Sequence, residues 1–311
     1  MPHVPLAASE LAPLFLEATR VAAVAAAGLV GSGDREAVDG AAVAAMRTAL
    51  ARIPVDGRVV VGEGEKDAAP MLQLGERFGS GAGPEIDIAV DPVDGTSLAA
   101  AGLPGAMAVM AVAPRGGFLD IGPAHYMEKL VSRVPGLELA APLAAVIGRI
   151  AAVRGVEASG VRVAVQDRPR NAAVIAAARA AGASVELFEH GDVERCLRAA
   201  RPDGDLDLVV GIGGAPEGVL TAAAVRALGG WMQARLAPQS PAEAERVTAA
   251  GLDSGRIAAL DELCAADALF LLTAVTACDL GSGVPLAPGE CVAFGIERGI
   301  GPVHDRRIRD R

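Results

Sequence analysis

The chain has 311 residues, of which 52% are hydrophobic and 3% aromatic, and its 28 basic and 38 acidic residues give a formal net charge of −10. This length allows a large buried core, and the hydrophobic excess is mostly small Ala and Val, with no apolar run of the roughly 18–20 residues that a membrane span needs. The acidic balance and the lack of a basic run speak against nucleic-acid binding. Four scattered cysteines and the absence of a basic amino-terminal region predict a reduced, cytoplasmic protein without a signal peptide.

Two helices are predicted at the start of the chain, over residues 6–31 and 35–52. In both, apolar side chains recur at the three-to-four-residue spacing of an amphipathic helix. The sequence Gly31-Ser32-Gly33-Asp34 separates them. Its glycines end the first helix, and its Asp34 is expected to cap the second.

Short strands are predicted next. Residues 59–61 and 86–90 are short, mostly apolar segments, followed by Gly62-Glu63 and by Asp91-Pro92 respectively. We expect the chain to turn at Pro92, because proline lacks the amide hydrogen that a central strand needs. The apolar run 105–113 is predicted to be a strand that pairs with residues 117–121.

A regular alternation of helices and strands begins near residue 140. It favours an α/β fold with βαβ units, and the chain is expected to divide near Pro135-Gly136 into an α+β domain over residues 1–138 and an α/β domain over residues 139–311. The predicted elements are helix 142–154, strand 161–165, helix 171–182, strand 184–188, helix 192–200, strand 206–210, helix 216–228, strand 231–236 and helix 241–251.

Two carboxylates, Asp91 and Asp94, are expected to converge where the strand 86–90 ends. At about 4 Å and an effective dielectric constant near 20, their repulsion is of order 4 kcal/mol. A cation removes this penalty, and ligands that are all oxygen favour Mg²⁺ or Mn²⁺ over Zn²⁺. The alternative is structural: Asp91 makes a turn and Asp94 caps a helix.

Gly95 and Thr96 follow these carboxylates. If a helix begins at residues 97–101, the amides around Gly95 point out of its amino terminus, where phosphate commonly binds. The Thr96 hydroxyl would then lie beside both metal and phosphate and could orient a water molecule.

Glu63 and Glu217 stand at two further strand exits, each beside glycines. Ligands gather at the carboxyl ends of strands in α/β sheets, so the recurrence of acidic residues there indicates a functional site. Each residue also has a structural interpretation, since Glu63 can belong to a polar hairpin loop and Glu217 can complement a helix dipole.

The order of motifs from Gly31 to about Leu236 resembles that of class II fructose-1,6-bisphosphatases, within the lithium-sensitive, metal-dependent sugar and inositol phosphatase superfamily. The resemblance implies a layered αβαβα sandwich and a phosphoric monoester hydrolase. The motifs that carry it are Gly33-Asp34-Arg35, Ala37 through Ala42, Gly62 through Met71, Asp91 through Thr96, Tyr126 through Leu130, Arg168-Pro169-Arg170, Gly191-Asp192-Val193 and Gly211 through Gly218.

The resemblance also implies roles for individual residues. Thr96 would hold the attacking water, with Asp67 and Arg35 in support. Two or three Mg²⁺ or Mn²⁺ ions would have five carboxylate ligands, namely Asp39, Glu63, Asp91, Asp94 and Glu217. The implied substrate contacts are Asp94, Gly95, Thr96, Tyr126, Arg168, Arg170, His190, Gly191, Asp192 and Gly214.

The residue types suit these contacts. Guanidinium forks such as those of Arg168 and Arg170 suit the phosphate that is not cleaved, although arginines are also common on surfaces. Asp192 can accept hydrogen bonds from sugar hydroxyls or can cap the predicted helix 192–200. Tyr126 can line the sugar site or pack in the core.

The reaction that the resemblance implies is hydrolysis of the 1-phosphate of fructose 1,6-bisphosphate, by in-line attack of a metal-activated water. The alternatives are a sedoheptulose 1,7-bisphosphatase, another sugar or inositol phosphatase, and a non-catalytic metal-binding or phosphate-binding homologue. The resemblance further implies a gluconeogenic role and a homo-oligomer, a dimer or a tetramer, with a small sugar bisphosphate as partner and neither nucleic acid nor membrane.

Overall fold

The two helices expected at the start of the chain are present. The structure is a computed structural model that describes residues 8–62, 72–280, 285–297 and 301–302, and in it α1 spans Ala8–Ala27 and α2 spans Arg35–Leu50. The predicted cap of α2 is confirmed, because Oδ1 of Asp34 accepts a hydrogen bond of 3.0 Å from the Ala37 amide.

The remaining elements follow the predicted alternation closely after residue 140. The next elements are β1 (Asp56–Val61), β2 (Arg77–Phe78), β3 (Glu85–Asp94), α3 (Thr96–Ala100) and β4 (Met107–Pro114). The elements after these are β5 (Tyr126–Ser132), α4 (Leu143–Arg154), β6 (Arg162–Gln166), α5 (Ala172–Ala180), β7 (Ser184–Phe188), α6 (Asp192–Ala200), β8 (Leu208–Gly214), α7 (Ala215–Ala227), β9 (Trp231–Leu236), α8 (Pro241–Ala249), β10 (Ala258–Ala259), α9 (Leu260–Leu263), β11 (Leu269–Ala274), β12 (Cys278–Asp279), β13 (Pro285–Leu286), β14 (Cys291–Glu297) and β15 (Gly301–Pro302).

The chain forms two compact units, each with its own sheet. The first unit holds the described residues within 1–120, 264–279 and 285–311, and the second holds those within 121–263 together with residue 280. Among the described residues, the strand order is β15-β14-β11-β4-β3-β1-β2 in the first unit and β10-β9-β5-β8-β6-β7 in the second, with β12 and β13 as a separate pair. Both sheets mix parallel and antiparallel pairs with helices packed on them, which confirms the α/β class.

The core of the first unit lies between its sheet and the two amino-terminal helices. Phe15 of α1, Met46 of α2 and Ile88 of β3 are fully buried in one apolar cluster, and α1 and α2 contact each other as well as the central strands. Burying such side chains contributes about 1.5–3 kcal/mol each, so this cluster holds α2 against the strand that carries Asp91.

The predicted pairing of the apolar run 105–113 with residues 117–121 is wrong. β4 pairs instead with β3 on one side and with β11 on the other, in both cases antiparallel. Phe118 makes only an isolated bridge, to Cys264. β4 is a buried central strand and pairs on both sides. One of its partners, β11, comes from a distant part of the sequence, so a local hairpin does not form.

The second unit has helices on both faces of its sheet. Adjacent residues of a strand point to opposite faces. Leu130 of β5 belongs to a buried cluster with Ile147 of α4 and Ile175 of α5, whereas its neighbour Lys129 contacts Asp192 of α6. Helices α6 and α7 contact each other and the strands β5 and β8, so this unit is an α-β-α sandwich.

No helix within the described ranges combines the length and apolar character needed to cross a bilayer.

Gly148 offers a test of the helical assignment. It lies inside α4 on an exposed turn, and a Cβ added there meets nothing within 4 Å. Glycine costs a helix interior about 0.5–1 kcal/mol relative to alanine. We expect Gly148→Ala to raise the free energy of unfolding by about that amount in urea titration; a loss of stability would contradict an exposed helical position.

Candidate active site

The acidic segment Asp91–Asp94 forms a β-bulge at the end of β3. Asp91 stands opposite Val109 and Asp94 stands opposite Met107, so three steps along β3 match two steps along β4. Opposed residues share a face of the sheet, and residues two apart share a face. The bulge therefore places both carboxylates on one face, where a regular strand would put them on opposite faces.

The expected turn at Pro92 is therefore wrong. The shared face agrees with the expected convergence of Asp91 and Asp94, and their common ligation of a cation remains a prediction. β3 continues through Pro92 to Asp94, because the bulge leaves the proline outside the regular hydrogen-bond ladder that would need its amide hydrogen. Oδ1 of Asp91 accepts a hydrogen bond of 3.0 Å from the Val93 amide, which holds the bulge. Asp94 is only 5% exposed.

Thr96 connects the end of this bulge to helix α2. Its Oγ1 lies 2.8 Å from Oδ1 of Asp39 and 2.9 Å from the Val93 carbonyl oxygen. Both partners are acceptors, so the single hydroxyl hydrogen is directed to one or shared between them. The remaining lone pairs of Oγ1 can accept a hydrogen bond, and a group that holds an attacking water needs this capacity.

The loop between α1 and α2 fixes the position of α2 relative to α3. The amides of Gly31 and Gly33 donate to the carbonyls of Ala99 and Ala100 at 2.9 and 2.8 Å. Gly95 begins α3 in the left-handed conformation, with φ of 81°, which favours glycine. These contacts hold Asp39 and the acidic segment together within the first unit.

The other predicted residues of this unit are less well defined. Arg35 is the first residue of α2, one turn before Asp39, and its side chain is exposed. Glu63 and Asp67 lie outside the described residues. The supporting roles expected for Arg35 and Asp67, and the ligand role expected for Glu63, remain predictions.

The donor chemistry of the first unit fits a hard divalent cation. Asp39, Asp91 and Asp94 supply carboxylate oxygens and Thr96 supplies a hydroxyl oxygen, which suit Mg²⁺ or Mn²⁺. Across the part of the chain that the structure describes, no group of three or more His, Cys, Asp or Glu side chains is close enough by itself to hold a metal ion. The metal assignment therefore rests on donor type and on the shared face of Asp91 and Asp94.

Tyr126 and Arg170 stack at one end of the sheet in the second unit. The guanidinium carbon of Arg170 lies 4.8 Å from the centre of the Tyr126 ring, a cation–π contact. Nε of Arg170 donates to the Ile212 carbonyl at 3.0 Å and Nη2 donates to Oε1 of Gln166 at 2.7 Å. These bonds fix the guanidinium plane, so the core-packing alternative for Tyr126 is replaced by a polar stack.

Arg168 and His190 lie close to each other. Nη2 of Arg168 donates to the Glu189 carbonyl at 2.8 Å and lies 3.5 Å from Nδ1 of His190. Gly191, next in the chain, precedes α6 with φ of 73°. The structure therefore brings these three predicted substrate contacts together on one loop edge.

Asp192 begins α6 but does not cap it through its side chain, so the capping alternative is wrong. Its carboxylate forms an ion pair with Nζ of Lys129, and both side chains are buried. Burial alone lowers the pKa of Lys129, but the negative charge of Asp192, with further contributions from Cys196 and Glu217, raises that pKa above its ordinary value. Lys129 is therefore charged across the physiological pH range.

Glu217 lies in the first turn of α7 and folds back over Gly214. A Cβ added at Gly214 would overlap the Glu217 carboxylate, and its three nearest atoms would all belong to that side chain. Only glycine at 214 lets Glu217 take this position. Whether Glu217 ligates a metal remains a prediction.

Two buried polar residues that support this site were missed in the sequence. Asn171, fully buried, exchanges hydrogen bonds with the backbone of Ile212 and so fixes the last part of β8. Glu243, 2% exposed, accepts from the amides of His125 and Tyr126 at 2.8 and 3.2 Å. The Ser240-x-x-Glu243 spacing is visible as a capping box, but nothing local points to its contact with β5.

Comparison with known proteins identifies the family. The sequence model described as bacterial fructose-1,6-bisphosphatase, glpX-encoded, matches residues 9–296. The fructose-1,6-bisphosphatase 1 class 2 of Escherichia coli strain K12 is 40% identical over 293 residues, covering 88% of this chain and 87% of that protein. The class 2 enzymes of Escherichia coli O6:H1 and Shigella flexneri match with the same identity and coverage.

Among solved structures, an extragenic suppressor from Pyrococcus furiosus covers 65% of this chain and 73% of its own, at 15% identity and a TM-score of 0.32. That likeness is slight, and the assignment rests on the sequence comparisons. They extend over most of the chain and include the acidic segment, Thr96 and the glycines at the end of β8. The chain belongs to the glpX-encoded bacterial fructose-1,6-bisphosphatases.

Proposed function

We propose that this chain hydrolyses the 1-phosphate of fructose 1,6-bisphosphate, giving fructose 6-phosphate and phosphate. It is a phosphoric monoester hydrolase by family. The observation that carries the assignment in its own structure is the bulge that sets Asp91 and Asp94 on one face, with Thr96 tied to Asp39 directly after it. Carboxylates repel a phosphate group, so a cluster of them assists phosphoryl transfer only by binding cations that accompany the substrate.

The cations that fit this donor set are Mg²⁺ or Mn²⁺, two or three in number. Asp39, Asp91 and Asp94 of the first unit would hold them, with Glu63 and Glu217 as the further predicted ligands. When bound, the ions neutralise phosphate charge and lower the pKa of a coordinated water. Carboxylates that repel one another in their absence are the residues expected to bind them most strongly.

Thr96 is the residue proposed to hold the attacking water. Its hydrogen is directed to Asp39 or to the Val93 carbonyl, so Oγ1 accepts a hydrogen bond from the water and orients the water's oxygen. That oxygen attacks phosphorus in line, and the bond from phosphorus to the sugar oxygen breaks. Of the two protons of the water, one ends on the sugar oxygen and the other on the released phosphate. No covalent phosphoenzyme is needed.

The proposed substrate contacts lie in the loops of the second unit and, in the first unit, at the end of the acidic segment. Arg168 and Arg170 are held by carbonyl oxygens and present guanidinium groups suited to the phosphate that is not cleaved. Asp192 supplies a carboxylate for sugar hydroxyls. The remaining proposed contacts are Asp94, Gly95, Thr96, Tyr126, His190, Gly191 and Gly214.

A phosphate-release assay tests this function. Fructose 1,6-bisphosphate, sedoheptulose 1,7-bisphosphate, inositol 1-phosphate and p-nitrophenyl phosphate are compared with Mn²⁺, with Mg²⁺ and after chelation by EDTA. We expect the fructose bisphosphate to have the highest kcat/KM and the activity to vanish with EDTA and return with added metal. Equal rates with and without metal would contradict the proposed chemistry, and preference for another substrate would reassign the sugar pocket.

A further inference from the structure

Lys129 is unusual in this sequence. Of the 28 basic residues, only two are lysines, Lys66 and Lys129, which leaves 26 arginines. Lys66 lies outside the described residues, whereas Lys129 is buried in β5 with 2% of its surface exposed. Lysine is almost never fully buried unless it is paired, so the position calls for a specific explanation.

The ammonium group of Lys129 joins three elements of the second unit. It extends from β5, forms the ion pair with Asp192 at the start of α6, and lies 3.4 Å from the Gly214 carbonyl, where β8 meets α7. Asp192 and Gly214 are both proposed to contact the substrate. Lys129 itself is too deeply buried to reach a bound sugar.

Space explains why this basic residue is not arginine. A Cβ added at Gly213 would lie 3.0 Å from Cε of Lys129 and 2.7 Å from Oδ2 of Asp192. The ion pair thus rests directly on the backbone of Gly213. A compact ammonium fits there, whereas the broader planar guanidinium would need room that this backbone occupies.

The positive charge of Lys129 compensates the buried carboxylate of Asp192. Asp192 is 8% exposed, and a buried carboxylate is costly without a compensating charge beside it. Without Lys129, the Asp192 side chain would move toward solvent and lose the fixed acceptor geometry that a sugar hydroxyl needs. The titratable neighbours Glu217 and Cys196 add negative electrostatic contributions around the same ammonium group.

We propose that Lys129 is a positioning residue for sugar recognition: it holds the Asp192 carboxylate and the Gly213-Gly214 end of β8 in the orientation that receives the sugar phosphate. This inference rests on the proposed function, in which Asp192 accepts from sugar hydroxyls. Lys129 would then contribute to sugar selectivity through Asp192, without touching the sugar itself.

The test compares a substrate that has a sugar with one that lacks it. We expect Lys129→Met to lower kcat/KM for fructose 1,6-bisphosphate at least about tenfold more than for p-nitrophenyl phosphate, mainly through KM, because a misplaced contact costs on the order of tenfold to a hundredfold. Asp192→Asn should give the same pattern. The double variant Lys129→Met with Asp192→Asn should be no worse than Asp192→Asn alone.

A matched control is Arg235→Met, which removes a basic side chain paired with Glu128 across β5 and β9; it should not change the ratio between the two substrates. If Lys129→Met does not fold, Lys129→Gln keeps a hydrogen-bond donor and tests the charge alone. Equal losses on both substrates, or additive losses in the double variant, would overturn the proposal. Calorimetric binding of fructose 6-phosphate measures the same contact without turnover. It therefore distinguishes a wild-type protein that does not hydrolyse the substrate from a variant in which Lys129 no longer positions Asp192.

Discussion

Asp91→Asn is expected to lower the turnover of fructose 1,6-bisphosphate at least about a thousandfold, or about 4 kcal/mol in barrier height. Metal-bound charge stabilisation is worth several kcal/mol in phosphoryl transfer, and the substitution removes one of the charges that would hold the metal. The Asn side chain still carries an oxygen that can accept from the Val93 amide, as Oδ1 of Asp91 does at 3.0 Å. The bulge should therefore survive, and circular dichroism and Tm should change little.

Asp87→Asn is the matched control on the same strand. Asp87 lies four residues before Asp91 on the same face of β3, and its buried carboxylate binds Arg58, Arg115 and the Gly116 amide. Breaking a buried ion pair costs up to about 3–5 kcal/mol, less here because Arg58 is partly exposed. We expect a lower Tm with turnover per folded molecule retained. If Asp91→Asn kept more than a tenth of the wild-type turnover, the metal role of Asp91 would be wrong.

Local periodicity predicted the second unit well. The strand Ser184–Phe188, the helix Asp192–Ala200 and the strand Trp231–Leu236 begin and end where the pattern placed them, because each carries a complete local signal of apolar spacing with a turn at either end. The partner of β4 could not be found in this way. It pairs with β11, more than 150 residues later, and no local pattern encodes a choice between distant strands of similar apolar character.

The candidate site could be predicted only in part, because several of its features also depend on contacts between distant parts of the chain. Asp91 and Asp94 were expected to converge, but through a turn at Pro92 instead of a bulge, since a register shift depends on the neighbouring strand. Asp39 reads as an ordinary polar residue of α2, and only the family resemblance included it in the predicted site. Its contact with Thr96 is a tertiary feature that no local pattern shows. Asn171 and Glu243 act through buried hydrogen bonds, which depend entirely on tertiary partners.

Gly214→Ala is expected to lower kcat/KM about a hundredfold while Tm changes by no more than about 2–4 °C. The backbone of Gly214 has φ of −66° and ψ of 139°, which alanine adopts without strain. The three atoms nearest to the added methyl group all belong to the Glu217 side chain, which can rotate away at little cost in stability. The substitution should therefore displace one carboxylate and leave the fold intact.

The companion variants make this prediction specific to Glu217. Glu217→Gln should reproduce the loss seen in Gly214→Ala, and combining the two should add little, because both remove the same carboxylate from the same place. Gly148→Ala, a glycine substitution in an open helical position of the same unit, should stabilise the protein and leave kcat/KM unchanged. Additive losses in the combined variant would show that Gly214 acts through its own contact with the substrate. Full activity in Gly214→Ala would exclude Glu217 from the reaction, because the Glu217 carboxylate cannot keep its position beside a methyl group.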